Sequence, residues 1–223
     1  LIIGSFGGNN YGDSLVLYSI ITNFQNLYGK STTFYVPTSK PSFIYDYLSF
    51  ANVKALDINL RKTFSYRFLS FNVIKKLKNV DLIITTAGIF FDQRIWDPRF
   101  SFIGSLLPLF ALSKNYNINI IGLCVGIRSH TNRIGEFFLK KALIHHDLLI
   151  VRDKYSYEYT SKFMDSNKIY EKADIVHTIF KENFFSPKKS GCVAINISDY
   201  LKGTYSGKVN KYSKKEWLER FSV

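Results

Sequence analysis

Leu1-Ile2-Ile3-Gly4-Ser5-Phe6-Gly7-Gly8-Asn9-Asn10-Tyr11-Gly12-Asp13 is the stretch on which the fold turns. A short apolar run stops at a glycine, and a turn rich in glycine and asparagine follows. Ser14 to Leu27 then places Leu15, Leu17, Tyr18, Ile21 and Phe24 at the spacing of one helix face. The same order recurs along the chain. Leu1 to Gly4, Thr32 to Val36, Val53 to Leu56, Asp81 to Thr85, Ile118 to Cys124, Leu148 to Val151 and Cys192 to Ile197 read as strands bounded by Gly, Asn, Pro or Asp. Ser14 to Leu27, Phe64 to Leu77, Phe100 to Ser113, Arg133 to His145, Asp153 to Phe163 and Ser213 to Phe221 read as helices. The strands are nearly continuous in apolar character rather than alternating, as expected when both faces of a sheet are covered. The fold class is α/β: a Rossmann-like, doubly wound and mostly parallel sheet.

Composition narrows the functional classes. Of 223 residues, 46% are hydrophobic and 21% charged, which is globular and excludes a disordered or collagenous chain. No stretch approaches the roughly 20 apolar residues of a membrane span. The two cysteines, Cys124 and Cys192, sit in apolar runs, so neither a disulfide framework nor a cysteine-based metal site is expected. A reducing, cytoplasmic setting follows, and Leu1-Ile2-Ile3-Gly4 reads as strand rather than secretory leader. Lys and Arg number 30 against 17 Asp and Glu, a net charge of +13. These cations are spread rather than gathered on a recognition helix or an aromatic sheet motif, so no nucleic-acid partner is expected. Lys54, Arg61, Lys62, Arg67, Lys75, Lys76 and Lys78 do cluster, with Phe64, Tyr66, Phe68 and Phe71 between them and only Asp57 opposing. Such a segment suits peripheral contact with anionic lipid. The plainer reading is a solvated helix face with its aromatics in the core.

The polar run Ser186-Pro187-Lys188-Lys189-Ser190-Gly191 marks a boundary. Residues 1–182 read as one Rossmann-like domain, 183–191 as a linker, and 192–223 as the cut-off beginning of a second domain, too small to bury its own core.

Four places can carry chemistry. Gly7, Gly8, Asn10, Gly12 and Asp13 form a loop at a helix N-terminus, where backbone approaches a ligand and an anion is favoured. The glycine spacing is not that of the dinucleotide fingerprint. Asp13 either contacts a ligand or caps the helix. Gly88 ends the strand run Asp81 to Thr86 and either opens the sheet edge to a ligand or makes a tight turn. Gly126, Arg128 and His130 follow the next strand and can present cations to phosphate or carboxylate, with His130 also readable as a solvated loop residue. Arg152 ends an apolar strand in Val151-Arg152-Asp153-Lys154-Tyr155-Ser156. It either aims a planar fork into the cleft or contacts Asp153, which caps the following helix. No His, Cys and carboxylate set has metal-ligand spacing, so no metal is expected.

The N-x-G-D turn at Asn10-Tyr11-Gly12-Asp13 and the V-R-D-x-x-S run from Val151 to Ser156 carry a resemblance to the polysaccharide pyruvyl transferase family. Asp81 to Ile84 with Gly88, Gly122 with Gly126-Ile127, and Ala173-Asp174 fall in family order, so the blocks span roughly residues 1–197. The resemblance implies a two-domain glycosyltransferase-B-type fold of which this is the N-terminal domain. It implies transfer of a pyruvyl ketal from phosphoenolpyruvate, a donor substrate with no further cofactor, to a sugar of a surface polysaccharide or its lipid-linked precursor. The expected place is the cytoplasm, at the inner face of the plasma membrane. Asp13 and Arg152 are then the catalytic candidates. Gly7, Gly8, Asn10, Gly12, Gly88, Gly126, Arg128, His130 and Ser156 are the substrate-binding ones. Two departures stand out. Thr85-Thr86-Ala87-Gly88 replaces a run of glycines, and the family's Arg- and His-containing motif, which binds the donor and supplies the acid, has no counterpart here. A sugar-nucleotide-dependent glycosyltransferase of the same fold, or a non-catalytic short homologue acting as a binding partner, remain alternatives.

Overall fold

Among the described residues of the computed structural model, every strand pair is parallel. The structure describes residues 1–8, 10–58, 68–91 and 102–179, all within the first of two units of the chain, Leu1–Lys181. The expected linker and second-domain start, and Arg61, Lys62, Phe64, Tyr66 and Arg67 of the basic segment, lie outside the described residues.

In chain order the elements are β1 (Ile2–Ile3), α1 (Tyr11–Tyr28), β2 (Phe34–Thr38), α2 (Pro41–Tyr47), β3 (Val53–Asp57), α3 (Phe71–Leu77) and β4 (Leu82–Thr86). There follow α4 (Phe102–Lys114), β5 (Asn119–Val125), α5 (Arg133–Ile144), β6 (Leu148–Val151), α6 (Lys154–Thr160) and β7 (Ile169–Glu171), with a 3₁₀ turn at Ile175–Ile179. Five strands are bonded in the order β1-β4-β5-β6-β7, and β2 and β3 form a separate pair. The sheet is doubly wound. One core, built on Val16, Leu17, Ile20 and Ile21 of α1 and Ile44 of α2, covers one face. The other, built on Val73 and Leu77 of α3, Leu106, Leu109 and Phe110 of α4, and Leu139, Ala142 and Leu143 of α5, covers the opposite face. β2 and β4 are buried almost along their whole length, which is why their sequences do not alternate.

The gap between β1 and β2 has a physical cause. Phe34 N donates to Asn52 O and Ile58 N donates to Thr38 O, so residues 34, 36 and 38 turn their main-chain groups toward β3. Pro37 therefore turns toward β1, where it has no N–H to donate. The Thr38 hydroxyl instead donates to Phe6 O at 2.6 Å, tying the end of β2 to the loop after β1.

Three expectations are corrected in detail. The buried face of α1 is centred on Val16, Leu17, Ile20 and Ile21 with Ser14 and Ser19, while Leu15, Tyr18 and Phe24 lie at its margin. Small serines let this helix sit close to the sheet, and Ser19 satisfies its hydroxyl on Leu15 O at 2.8 Å. The sequence reading missed α2 and β7. α2 starts at Pro41 and buries only Ile44, and β7 is a three-residue edge strand with Tyr170 and Glu171 exposed, so neither presents a periodic apolar pattern. In the basic segment Phe68 is in the core, but Phe71 is 74% exposed, so its aromatics do not all turn inward.

A buried polar contact lies within the sheet core. The His146 ring is 1% exposed, its Nδ1 faces Leu143 O at 3.0 Å, and its Nε2 meets the Thr85 hydroxyl at 2.8 Å. Facing a carbonyl, Nδ1 donates, and because burial keeps the ring neutral, Nε2 accepts from Thr85. Burial pushes its pKa from 6.5 down to about 4. Between those values the unfolded chain binds more protons than the folded one, so stability is full above about pH 6.5 and falls as pH drops toward 4. Chemical unfolding at about pH 7 and about pH 4.5 should show the wild type losing about 2–3 kcal/mol more than His146→Gln. Equal losses would contradict the assignment.

Candidate active site at the carboxyl edge of the sheet

The chain turns outward from β1 through β2 to β3, then returns to β4 on the other side of β1. The carboxyl ends of β1 and β4 thus diverge, and in open parallel sheets a ligand site forms at such a point. The loops that follow β1, β4, β5, β6 and β7 bring together Asp13, Phe91, Gly126, Arg152 and Asp174.

Asp13 stands in the first turn of α1, but it is not the cap. Asn10 has extended backbone and its side-chain oxygen accepts from Gly12 N at 2.9 Å, while its amide nitrogen donates to Asp13 Oδ2 at 3.0 Å. Asn10 takes the cap because its backbone is still extended where the helix begins. The Asp13 carboxylate, relieved of that task, is half-buried. Burial pushes its pKa up to about 6, against the opposing pull of the Arg152 charge and the Asn10 hydrogen bond. Gly8, with φ +73°, lets the preceding turn form, and a side chain there would meet the Phe43 ring at 2.9 Å. Gly7 and Gly12 flank the turn, with Ser39 Oγ 3.4 Å from where a Gly7 side chain would start.

Arg152 leaves the end of β6 and donates through Nη1 to Asp174 Oδ2 at 3.3 Å. Its guanidinium also lies 5.8 Å from the centre of the Phe91 ring. The expected contact with Asp153 does not form. Asp153 does cap α6, accepting from Ser156 N at 2.8 Å, and so has its own task. Arg152 remains 32% exposed, which leaves the rest of its fork accessible to an anion. Gly126 makes room for this arrangement: a Cβ there would stand 2.5 Å from Phe91 Cζ and 3.0 Å from Arg152 Nε. Gly126 N donates to Ala87 O at 3.2 Å, joining the loop after β5 to the one after β4, where Gly88 also accepts from Phe91 N.

Cys124 supports the same cluster from beneath. It adopts φ +54° where the β5–β6 register slips between Leu123 and Val125. This directs its sulfur to the loop after β7, where it accepts from Ile175 N at 3.1 Å beside Asp174. Burial pushes the thiol up to about 11, so it stays protonated and is no nucleophile.

The remaining candidates act at a distance from this cluster or brace it. The Ser156 hydroxyl is buried and accepts from Ile127 N at 2.9 Å, pinning the loop after β5 to α6. His130 is 8% exposed rather than solvated, its ring packed over Gly135, and its N donates to Glu136 Oε2 at 2.8 Å. Burial opposes ionisation of Glu136, but hydrogen bonds from Tyr159, His130 N and Lys140 outweigh it and hold the carboxyl below its usual range. Arg128 is exposed on that braced loop. Asp174 and Phe91 were not among the sequence candidates. Asp174 falls in the Ala173-Asp174 block that carries the family resemblance, and that was the available signal. Among the described residues no group of three or more His, Cys, Asp or Glu is placed to hold a metal ion, and no helix is long and apolar enough to cross a membrane.

The fold and this edge define a Rossmann-like α/β domain with one arginine set between two carboxylates. The family model of polysaccharide pyruvyl transferase matches residues 10–222, nearly the whole chain, and the chain belongs to that family. It is thus a transferase of polysaccharide biosynthesis. No curated protein matches it.

Proposed function

We propose that the chain forms the N-terminal, glycosyltransferase-B-type domain of an enzyme that moves a pyruvyl group from phosphoenolpyruvate onto two hydroxyls of a sugar, in a surface polysaccharide or its lipid-linked precursor. The observation that carries this reading is the pairing of Asp13, with a pKa near neutrality, and Arg152, pinned by Asp174, at one edge of the sheet. A carboxylate with pKa of about 6 is largely ionised at neutral pH and suits a base that takes a hydroxyl proton. A partly exposed guanidinium suits the carboxylate or phosphate of the donor.

One sugar hydroxyl adds to C2 of the enol while C3 takes a proton and becomes a methyl group, and the hydroxyl proton passes to Asp13. The second hydroxyl then forms its bond to C2 as the C2–O bond to phosphate breaks and its proton passes to the departing phosphate, so inorganic phosphate leaves with the ketal complete. The acid that protonates C3 is not assigned to a described residue. Gly7, Gly8, Gly12 and Asn10 bring main chain to the acceptor, and Gly88, Gly126 and Arg128 face the donor, with His130 and Ser156 holding their loop. No cofactor beyond the donor is needed, and the enzyme works in the cytoplasm at the inner face of the membrane.

The test is phosphoenolpyruvate-dependent phosphate release on adding a galactose- or mannose-type acceptor to the full-length protein. Release that requires both substrates supports the reading. Absence of release with any acceptor, alongside turnover of a nucleotide sugar, would sink it. Gly126→Ala should lower kcat/KM about ten- to a hundredfold, because displacing Arg152 and Phe91 by about an ångström misaligns the anion contact. An unchanged donor KM and kcat in this variant would remove Arg152 from the site.

A further inference from the structure

The two helical layers carry opposite charge. α3, α4 and α5 hold Lys75, Lys76, Lys114, Arg133, Lys140 and Lys141 against the single carboxylate Glu136. α1 and α2, on the other side of the sheet, hold Asp13 and Asp46 and no Lys or Arg. Six cations thus sit on these three helices, while the helices of the opposite layer carry none.

That same layer leaves large apolar side chains in solvent. Ile134 and Phe137 of α5 are each 56% exposed and Ile144 is 51% exposed. With Lys141 they recur at the spacing of one helix face, and Lys141 Nζ lies 5.6 Å over the Phe137 ring. On α3, Phe71 is 74% exposed and Ile74 38%. α4 joins the two, with Phe102 5.6 Å from Phe68 just ahead of α3 and α5 packed alongside. Aliphatic and aromatic residues interleaved with cations match an interface between headgroup and acyl chain, where one kind of side chain enters and the other meets phosphate.

We propose that the outer face of the α3–α4–α5 layer docks on an anionic phospholipid bilayer. A second copy of this face would bring like charges together, so self-association is disfavoured. A nucleic acid would use the cations but leave Ile134, Phe137 and Ile144 without an apolar partner. The inference deepens the membrane-side part of the proposed function, yet vesicle binding needs no substrate, so the two readings fail separately.

The experiment is flotation of the full-length protein with vesicles of phosphatidylcholine alone, or with about a third phosphatidylglycerol. Binding should require phosphatidylglycerol and weaken at high salt. The double charge reversal Arg133→Glu with Lys141→Glu should weaken it about tenfold or more, and Ile134→Ser with Phe137→Ser about fivefold. Leu27→Ser, 74% exposed on the opposite layer, should leave it unchanged. All these positions are exposed, and matched thermal melts show whether each variant folds. If one does not, the lipid and salt dependence of the wild type decides alone. Failure of the wild type to float with anionic vesicles at low salt overturns the proposal. So does binding that both pairs of α5 substitutions leave intact. A dimer that Ile134→Ser with Phe137→Ser dissociates, or tighter binding to duplex DNA lost in the same variants, overturns it as well.

Discussion

The Asp13→Asn enzyme should release phosphate about a hundred- to ten-thousandfold more slowly than wild type, the usual range for removing a positioned general base. Its acceptor KM should change little, because Asn keeps the size and hydrogen-bonding reach of the side chain. The wild type should show kcat/KM falling as pH drops below about 6, where the Asp13 carboxylate takes up a proton, and the variant should lose that limb. Stability should move the other way. Burial raises the Asp13 pKa, so the folded state favours the protonated form, and the contribution of Asp13 is lost as pH rises from its ordinary value through about 6. Asn carries no such cost, so the variant should melt no lower, and somewhat higher, at neutral pH. A variant that keeps both its rate and its acidic limb removes Asp13 from the chemistry.

The second large effect belongs to Arg152. Arg152→Gln should lower kcat/KM about a hundred- to thousandfold by removing a fixed cation from developing charge, with the donor KM rising. Arg152→Lys should restore little, because a compact ammonium cannot meet Asp174, the face of Phe91 and an anion together. One further readout separates this role from simple bracing. The Arg152 charge pulls the Asp13 pKa down, so Arg152→Gln should shift whatever acidic limb survives to higher pH. Unchanged activity would refute the role outright. An unchanged limb with reduced activity would place Arg152 on the donor but out of electrostatic reach of Asp13.

Much of this domain was legible before any coordinates. The runs that became β3, β4, β5 and β6 were found within a residue or so of their ends, because β4, β5 and β6 carry a nearly continuous apolar signature and β3 is a short apolar run broken only by Lys54. α2 and β7 left no such trace. The first is set by Pro41 and one buried isoleucine, the second by pairing to β6 rather than by its own residues. At the site, Asp13 and Arg152 could be nominated from their places after strands, but their partners could not. Asn10 rather than Asp13 caps α1, and Asp174 rather than Asp153 holds Arg152. Each rival was adjacent or equally suited by type, and only backbone conformation decides between them. The same holds for His130. A histidine in a loop looks solvated until the glycine at 135 lets its ring lie down on α5.

Pro37 has a further consequence for how the domain moves. Among the described residues no main-chain ladder joins β1 to β2, so across that seam the β2–β3 leaf is held through side chains. Side-chain packing and the Thr38–Phe6 bond are what restrain it. Phe43 of α2 travels with that leaf and rests on Gly8, so the first loop is braced by the movable part, while Arg152 is rooted in β6 within the continuous sheet. Breathing of the leaf would therefore change the aperture between Asp13 and Arg152 without disturbing either residue's own anchors, giving the site a soft jaw and a hard one.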